Sequence, residues 1–350
     1  MELTDIKSMT LAELRTAFAA EGLPSFRALQ VYKWLHRGVA SFDEMSDLSK
    51  VLRQQLSEKY YIANAVVERK LISKIDNTIK YLFRFQDGEY VESVLMDYHH
   101  GHTICISTQV GCKMNCSFCA TGKSGFSRNL TPSEMLAQIQ SAQADEGIRI
   151  SNVVLMGMGE PLDNYENVLR FLELVSSDEG MNIGMRHISV STCGIVDKIY
   201  DLAERKLQIT LSVSLHAPND EIRSRTMPIN RRWGVEDLLK ACRYYEKMTN
   251  RRISFEYAMI SGVNDSDACA KELAGRLKGT LSHVNLIPVN DVTGNHYRKS
   301  SNDRLRKFSS VLEANGITAT VRRTLGSDID ASCGQLRRRY HKEVADHEIV

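Results

Sequence analysis

The sequence has no apolar run of the ~20 residues that a membrane-spanning helix needs. Its first residues, MELTDIKSMTLAEL, contain acids and lack the basic start and apolar stretch of a secretory signal. These two absences predict a cytoplasmic protein with no membrane partner. Net charge is also low, because 45 Lys and Arg against 43 Asp and Glu leave +2. That balance excludes a polycation that coats nucleic acid by charge density, so any nucleic-acid partner must bind local basic patches.

The chain also lacks repeats of fixed period, low-complexity tracts and proline-rich linkers. Its 350 residues, 43% hydrophobic and 25% charged, suit a globular core with an appendage. Residues 1–62 are predicted to form a helical accessory domain, in which Thr10 and Glu13 make a capping-box pair. Residues 63–97 show the alternation of strands, with a hairpin signal at residues 87–88, and predict a short antiparallel linking sheet.

Residues 98–330 alternate between strand-like and helix-like segments, and the C-terminal segment 331–350 follows. Amphipathic stretches at 132–147 and 235–248 are typical of crossover helices. The alternation predicts an α/β fold with a parallel sheet, either doubly wound or barrel-like. The candidate strands are TICIST (103–108), NVVLMG (152–157), HISVST (187–192), ITLSVSLH (209–216), ISFEYAMI (253–260), HVNLIPV (283–289) and ATVRRTL (319–325).

Four of the eight cysteines lie within residues 105–119. A disulfide framework is typical of short secreted chains, so thiols clustered in this way indicate metal or redox chemistry. Cys112, Cys116 and Cys119 have the spacing CxxxCxxC directly after the first candidate strand of the alternating region. Thiolates bind zinc and iron–sulfur clusters, and no fourth Cys or His nearby completes a closed zinc site. Three thiolates on a four-iron cluster would leave one iron open to a substrate, with a zinc loop as the alternative.

With these residues the sequence resembles the radical S-adenosylmethionine enzymes, and more narrowly the RlmN/Cfr group of radical RNA adenine methyltransferases. The resemblance covers nearly the whole chain and implies a partial (β/α)6 barrel with an accessory domain of RNA-binding type. It also implies one [4Fe–4S] cluster on Cys112, Cys116 and Cys119 and two molecules of S-adenosylmethionine per turnover. The motifs that carry it are VESVLM, CISTQVGCKMNCSFCATGKSGF, GMGEPLDN, STCGI, SLHAPND, MPIN, NLIPVN and DIDASCGQL.

Several of these motifs fall at the carboxyl ends of predicted strands. In a βα barrel those ends converge on one rim, where active sites are built. The resemblance implies that Glu160 pairs with the cationic α-amino group of S-adenosylmethionine, whereas an exposed loop carboxylate is the alternative. It assigns the remaining cofactor contacts to neighbours on the same rim, any one of which could be purely structural. The complete cofactor-binding set is Gly159, Glu160, Ser191, Ser214, Leu215, His216 and Asn290.

Two further cysteines match positions specific to the RlmN/Cfr group. By residue type alone, Cys105 and Cys333 would be small buried apolar side chains. The resemblance implies instead that Cys333 carries the methyl group, which a radical from the second S-adenosylmethionine activates so that it adds to adenine. Cys105 then attacks Cys333 and releases the product through a transient disulfide. Glu92 matches the proton acceptor of the family, with an exposed strand carboxylate as the alternative.

Ring carbon 2 of adenine is electron-poor, so a radical route is the one that can methylate it. The resemblance implies methylation of carbon 2 of an adenosine in 23S rRNA, at the peptidyl-transferase centre, and of an adenosine in tRNA anticodon loops. Methylation of carbon 8, as in the Cfr branch, is the alternative, and Pro161 favours the RlmN branch. Local basic clusters such as Arg322/Arg323 are candidates for phosphate contacts. The target base must leave its stack to react.

The partners expected on this basis are 23S rRNA, tRNA and an electron donor such as flavodoxin or ferredoxin, and the chain is expected to be a monomer. Two other classes remain as alternatives: a radical enzyme of another kind, such as a glycyl-radical activase, and a non-enzymatic cluster or RNA-binding protein. The first predicts that turnover survives loss of Cys333, and the second predicts no cleavage of S-adenosylmethionine.

Overall fold

The computed structural model describes residues 3–99, 101–289, 296–323, 325–329, 334–337 and 339–340. Its N-terminal part is helical, as predicted, and begins with the capping box of Thr10 and Glu13. Two short parallel strands join its ends, and the sequence did not predict them because two residues carry no periodic pattern. The elements are β1 (Thr4–Asp5), α1 (Leu11–Ala20), α2 (Ser25–Arg37), α3 (Lys50–Lys59) and β2 (Tyr60–Tyr61).

The rest of the described chain consists of strands connected mostly through helices. The strands are β3 (Val66–Ile72), β4 (Ile79–Arg84), β5 (Tyr90–Tyr98), β6 (Gly101–Cys105), β7 (Gln109–Gly111), β8 (Phe126–Asn129), β9 (Ile150–Leu155), β10 (Ile188–Thr192), β11 (Thr210–Ser214), β12 (Ile253–Met259), β13 (Ser282–Pro288) and β14 (Thr318–Val321). The helices are α4 (Pro132–Glu146), α5 (Tyr165–Ser176), α6 (Val196–Glu204), α7 (Asp220–Thr226), α8 (Val235–Thr249), α9 (Asp267–Leu277) and α10 (Asn302–Ala314).

Ten of these strands form one sheet in the order β14-β13-β12-β11-β10-β9-β6-β5-β4-β3. Every pair from β6 to β14 is parallel, and strand order follows chain order without reversal. A doubly wound sheet reverses its order at a switch point, so this topology is the barrel-like alternative. Each of the six crossovers from β6 to β14 contains at least one helix. The predicted (β/α)6 architecture is therefore confirmed.

The predicted linking sheet is not a separate sheet. Strands β3, β4 and β5 are antiparallel, as expected, but β5 also pairs with β6, with Val94 opposite Cys105. The three strands therefore extend the edge of the barrel sheet. The sequence suggested a boundary here because the hydrophobic pattern changes from hairpins to crossovers, and such a change does not show whether the two sets of strands pair.

The two faces of the parallel strands differ in polarity. Val190, Leu211 and Phe255 are buried in the same apolar core as residues of the crossover helices. Successive side chains of a strand point to opposite faces, so the alternate residues line the inside of the curved sheet. On β10, β11 and β12 these are polar: Ser191 pairs in register with Ser212, and Ser214 with Glu256. The inside of this barrel is thus lined for polar ligands rather than filled with branched apolar side chains.

Polar contacts join the N-terminal helices to the barrel helices. The buried Lys7 ammonium donates to Gln140 of α4, and the Gln140 amide donates to the carbonyl of Leu35, at 3.0 and 2.8 Å. On α5, Arg170 binds both carboxylate oxygens of Glu13. Among the helices that the structure describes, none is both long and apolar enough to cross a membrane.

Candidate active site

The cysteine loop projects from a small hairpin beyond the first parallel strand. Strands β7 and β8 pair antiparallel and bring together the two ends of residues 112–125. The amide of Cys112 donates to the carbonyl of Gly125 at 2.8 Å. Gly111 has a φ of 83°, and a β-carbon there would overlap that same carbonyl. Glycine is therefore required at the position preceding the first cysteine.

The three cysteine thiols lie close to one another. Burial, with smaller contributions from the neighbouring Glu160 and Cys119, raises the pKa of the Cys112 thiol to about 12. Burial also raises the pKa of Cys116, again with contributions from the other two cysteines. Thiols in such a site become thiolates when cations bind them. The loop thus presents three thiols that cationic iron would convert to ligands.

The donor set fits an iron–sulfur cluster. Within the described ranges, no three His, Cys, Asp or Glu side chains are grouped tightly enough to hold one metal ion. A [4Fe–4S] cluster makes a different demand, because cysteine thiolates bind its separate irons. Three thiols on one short loop, with Gly122 packed against the backbone of Asn115 and Cys116, meet that demand.

The far side of the loop rests on the segment after α7. The amide of Ser117 donates to the carbonyl of Thr226 at 2.9 Å, and Cys116 packs with Met227 and Cys193. Phe118 meets the ring of His216 edge-on, with centroids 4.9 Å apart and planes at 87°. The loop is consequently seated against the ends of β10 and β11. These are the strand ends at which the sequence predicts the cofactor site.

Glu160 lies at the end of β9 and is 3% exposed, so it is not a loop carboxylate in solvent. Its two oxygens accept the amides of Leu162 at 3.0 Å and Cys193 at 2.7 Å. Burial raises its pKa, and these hydrogen bonds partly oppose the rise. In the described part of the chain no Lys, Arg or His forms an ion pair with it. A buried carboxylate of this kind suits a cationic ligand group.

Gly159 has a structural reason to be glycine that does not depend on a cofactor. Its φ is 106°, and a β-carbon would lie 2.6 Å from the β-carbon of Gln109. The Gln109 side chain in turn accepts the amide of Glu160 at 2.8 Å. Close approach of the two backbones therefore sets the position of the Glu160 carboxylate.

His216 is buried at the end of β11 with a φ of 55°. Its Nδ1 accepts the amide of Ala258 at 2.9 Å, so the proton of the neutral ring is on Nε2. Burial lowers its pKa to about 3, which keeps the ring neutral at physiological pH. The side-chain amide of Asn264 donates to the carbonyl of His216 at 2.7 Å and stabilises its left-handed backbone. No pattern in the sequence marks Asn264.

Ser191 and Ser214 lie at the carboxyl ends of β10 and β11, on the inner face and partly exposed. Leu215 follows Ser214, and its amide donates to the carbonyl of Glu256 on β12 at 3.1 Å. Of the described members of the predicted cofactor set, His216 contacts Phe118 of the cysteine loop and Glu160 binds the amide of Cys193, which packs beside that loop. Asn290, the remaining member, lies outside the described residues, as does Cys333.

Cys105 is the last residue of β6 and is buried with Val94 and Met96 of β5. Leu325, from the C-terminal part of the chain, packs against this cluster. Nearby, Asp328 accepts hydrogen bonds from the Ser73 hydroxyl at 2.7 Å and from the amide of Lys74 at 2.8 Å. The residues that precede the 330–333 segment are therefore held on the antiparallel edge that borders Cys105.

Glu92, on β5, is fully buried and not an exposed strand carboxylate. One of its oxygens lies 3.0 Å from the ammonium of Lys80, which is also fully buried. The carboxylate accepts the amides of Gly334 at 2.8 Å and Arg337 at 2.7 Å. Gly334 in turn packs so closely on Thr121 that a β-carbon would lie 2.5 Å from the threonine hydroxyl oxygen. The residues after 330–333 are thus tied to Glu92 and to the cysteine loop.

A buried polar network that sequence analysis missed supports this arrangement. Gln138 of α4 accepts the Ser93 hydroxyl and the amide of Ser107, at 2.8 and 2.9 Å. The Ser107 hydroxyl donates to the carbonyl of Glu92 at 2.6 Å and accepts the amide of Met158 at 2.9 Å. The network connects the Glu92 strand to the Glu160 loop. Most residues of α4 are buried, so the hydrophobic pattern of this helix does not distinguish Gln138 from its neighbours.

Comparison with known proteins agrees with this geometry. The sequence model of the radical SAM (S-adenosylmethionine) superfamily matches residues 106–270, and that of the ribosomal RNA large subunit methyltransferase N-terminal domain matches residues 4–62. The probable dual-specificity RNA methyltransferases RlmN of Alkaliphilus oremlandii and Clostridium tetani are 52% and 51% identical over 340 residues. Each alignment covers 97% of this chain. It covers 99% of the Alkaliphilus protein and 97% of the Clostridium protein.

A crystal structure is also similar over nearly the full length. It is that of a radical SAM methyltransferase from Sphaerobacter thermophilus, with a TM-score of 0.91 and 46% identity. The match covers 95% of this chain and 98% of that one. The cysteine loop, the polar barrel rim and the agreement over both domains lead to one family. The chain belongs to the radical S-adenosylmethionine superfamily and, within it, to the RlmN family of RNA methyltransferases.

Proposed function

We propose that this enzyme methylates carbon 2 of an adenosine in 23S rRNA and of an adenosine in tRNA, with Cys333 as the methyl carrier and Cys105 as the resolving cysteine. One observation carries the assignment of the two cysteines. The described residues on both sides of 330–333 are fastened to the strands that border Cys105, through Leu325 on one side and Gly334 on the other. The anchoring of these flanking residues on strands next to Cys105 supports an exchange between the sulfurs of Cys105 and Cys333.

Cys112, Cys116 and Cys119 are proposed to hold the [4Fe–4S] cluster, which supplies the electron for radical cleavage of S-adenosylmethionine. Three protein ligands would leave the fourth iron open to S-adenosylmethionine. The buried Glu160 carboxylate binds the α-amino group of S-adenosylmethionine, because it lacks a cationic partner in the described chain. Gly159, Ser191, Ser214, Leu215, His216 and Asn290 complete the proposed cofactor site.

Cys105 acts at the end of the proposed reaction. Its thiolate attacks the sulfur of Cys333, so that a disulfide forms and the bond from that sulfur to the new carbon substituent of the base breaks. The electron pair of the broken bond goes to the product carbon, which takes up a proton, and the unpaired electron left by radical addition would return to the cluster that supplied it. Each turnover uses one S-adenosylmethionine as methyl donor and a second as radical source. The disulfide must then be reduced before the next methyl transfer.

Glu92 is proposed to accept the proton that leaves the ring carbon. Lys80 and the two backbone amides stabilise the negatively charged carboxylate, which is the form that accepts a proton. Its contact with Gly334 supports a position close to the methyl carrier.

The RNA substrates are proposed from the names of the relatives, and flavodoxin or ferredoxin from the need for one-electron reduction. Exposed arginines near the cysteine loop supply phosphate contacts, among them Arg225 and Arg232 with side chains 64% and 70% exposed. Arg232 also stacks on Trp233, with its guanidinium carbon 4.1 Å from the ring centroid. A monomer in the cytoplasm stays a prediction.

The decisive experiment uses the Cys105→Ala variant, produced in cells and purified with its bound nucleic acid. We expect a covalent protein–RNA adduct, detected by mass spectrometry after nuclease digestion and mapped to the peptide that contains Cys333. The Cys105→Ala/Cys333→Ala double variant is the matched control and should carry no adduct. A Cys105→Ala protein free of adduct that still methylates RNA at the parent rate would refute the two-cysteine assignment.

The methylated carbon is determined separately with RNA that carries deuterium on carbon 2 of adenine. Methylation at carbon 2 expels the label, whereas methylation at carbon 8 retains it. Mass analysis of the digested product therefore distinguishes the two branches. Retention of the label in the methylated nucleoside would establish carbon 8 and overturn the proposed position.

A further inference from the structure

Arg223, on α7, is a fully buried arginine that lies behind the barrel rim. Its guanidinium donates to the carbonyl of Leu215 at 3.0 Å, of Ser214 at 3.1 Å and of Cys193 at 2.6 Å. A fourth bond, at 3.0 Å, goes to the side-chain oxygen of Asn230. One side chain thereby connects the ends of β10 and β11 with the MPIN motif.

The positive charge of Arg223 has no anion in contact with it. Across the described ranges, no Asp or Glu lies within ion-pair distance of its guanidinium, and its four acceptors are neutral oxygens. The Asp220 carboxylate is linked to Arg223 through Asn230, whose side-chain amide donates to that carboxylate at 3.0 Å. Burial lowers the pKa of Arg223, yet a guanidinium keeps its proton in a protein. A buried cation without a counter-anion is costly unless a ligand supplies the anion.

The neighbouring site that can supply an anion is the cysteine loop, once it holds the proposed cluster. Arg223 binds the carbonyl of Cys193, and Cys193 packs directly with Cys116. The helix that carries Arg223 ends at Thr226, whose carbonyl accepts the amide of Ser117. The field of the guanidinium also acts on Cys116, where it lowers the thiol pKa against the larger effect of burial. Backbone contact, side-chain packing and electrostatics therefore agree on the same neighbour.

We infer that Arg223 supplies a fixed positive charge to the anionic iron–sulfur cluster at Cys112, Cys116 and Cys119 and so favours its reduced state. The inference rests on the cluster ligands given under the proposed function. Adding an electron makes the cluster more negative, so a nearby cation stabilises the reduced form more than the oxidised form. Arg223 does not touch the reacting atoms and is a positioning residue with an electrostatic effect.

The test is a redox titration of the full-length protein, reconstituted without oxygen and studied without RNA. Dithionite supplies electrons, and electron paramagnetic resonance measures the reduced cluster at set potentials. At a fixed potential we expect Arg223→Met to lower the ratio of reduced to oxidised cluster at least tenfold, which is about 59 mV for one electron. Arg223→Lys keeps the charge and should stay within threefold of the parent.

Asn230 offers a second pair of variants that retain the arginine. Asn230→Asp places an anion against the guanidinium and should lower the ratio, whereas Asn230→Ala removes the side-chain hydrogen bonds to Arg223, Asp220 and Ser224 without changing charge and should not lower it. This pair decides the matter if Arg223→Met fails to assemble a cluster. The inference is overturned if Asn230→Asp matches Asn230→Ala, or if Arg223→Lys falls as far as Arg223→Met.

Iron and sulfide analysis separates this inference from the proposed function. A parent protein that binds no four-iron cluster would refute the proposed ligand set. If the parent protein binds the cluster and the variants show the parent ratio of reduced to oxidised cluster, the role of Arg223 is refuted. The proposed cluster ligands would then still stand.

Discussion

The buried Lys80–Glu92 ion pair gives a prediction whose size follows from the structure. Both side chains are fully buried, and their charged atoms are 3.0 Å apart. Among the residues that the structure describes, replacing Lys80 with Met leaves the Glu92 carboxylate with the amides of Gly334 and Arg337 as donors. Removing one partner of a buried pair costs ~3–5 kcal/mol, because the remaining charge is left uncompensated. We expect Lys80→Met to reduce the free energy of unfolding by about that amount.

The assay is urea unfolding at neutral pH, with a control for loss of charge alone. Arg225→Met breaks the exposed ion pair between Arg225 and Glu221 and should cost at most about 1 kcal/mol. The Lys80→Met/Glu92→Gln double variant removes both buried charges. It should be more stable than the sum of the two single changes predicts, because neither partner is left as an isolated ion.

A second measurement follows the anchored segment itself. If the pair holds the C-terminal residues in place, amide hydrogen exchange at Gly334 and Arg337 should rise in Lys80→Met more than exchange in β12 does. A loss of stability below about 1 kcal/mol for Lys80→Met, or strictly additive single changes, would refute the view that this pair depends on mutual charge compensation.

Three further predictions concern other parts of the molecule. Burial lowers the pKa of His36 to about 4 from an ordinary 6.5, so the unfolded chain takes up a proton first. Stability should therefore fall as pH drops from 6.5 to 4, by about 3 kcal/mol, and His36→Phe should remove that slope in thermal unfolding curves. Cys112→Ser should lose the reconstituted cluster, measured as iron and sulfide per chain. Gly159→Ala should weaken S-adenosylmethionine binding at least tenfold in equilibrium dialysis, because its β-carbon would displace Gln109 and the Glu160 loop.

Each of these has a result that contradicts it. A parent-like pH slope in His36→Phe would show that other groups cause the acid dependence. Full iron content in Cys112→Ser would show that this thiol is not a ligand. Parent affinity in Gly159→Ala, with Gly262→Ala as a control at a glycine that has open space around it, would show that the Glu160 loop tolerates the shift.

The barrel itself could be predicted from sequence because its determinants are local and periodic. Apolar and polar residues alternate along β10 and β11, amphipathic segments follow, and the capping box of Thr10 starts α1 where expected. The CxxxCxxC spacing likewise puts three thiols on one loop, whatever the rest of the chain does. These features need no knowledge of distant pairing.

The features that escaped prediction are those in which a side chain binds backbone far away in sequence. Arg223 donates to Cys193, 30 residues earlier, and Gln138 donates to Ser107, 31 residues earlier. Glu92 accepts Gly334, 242 residues later. No periodicity marks such a partner, because the acceptor or donor is a carbonyl or amide that every residue possesses. Only the register of the strands shows which of them meet.

The same distinction explains how Leu325 and residues 334–337 are tied to the barrel. Apolar packing holds Leu325 near Cys105, but it has no direction and does not fix the chain that follows. Hydrogen bonds from Gly334 and Arg337 to one buried carboxylate do fix it, since two amides must reach the two oxygens of Glu92 together. Because Lys80 balances that carboxylate, the anchor needs no solvent and persists inside the protein. The antiparallel strands β4 and β5, which extend the barrel sheet, therefore supply the buried Lys80–Glu92 pair that binds the amides of Gly334 and Arg337, and Gly334 packs against Thr121 of the cysteine loop.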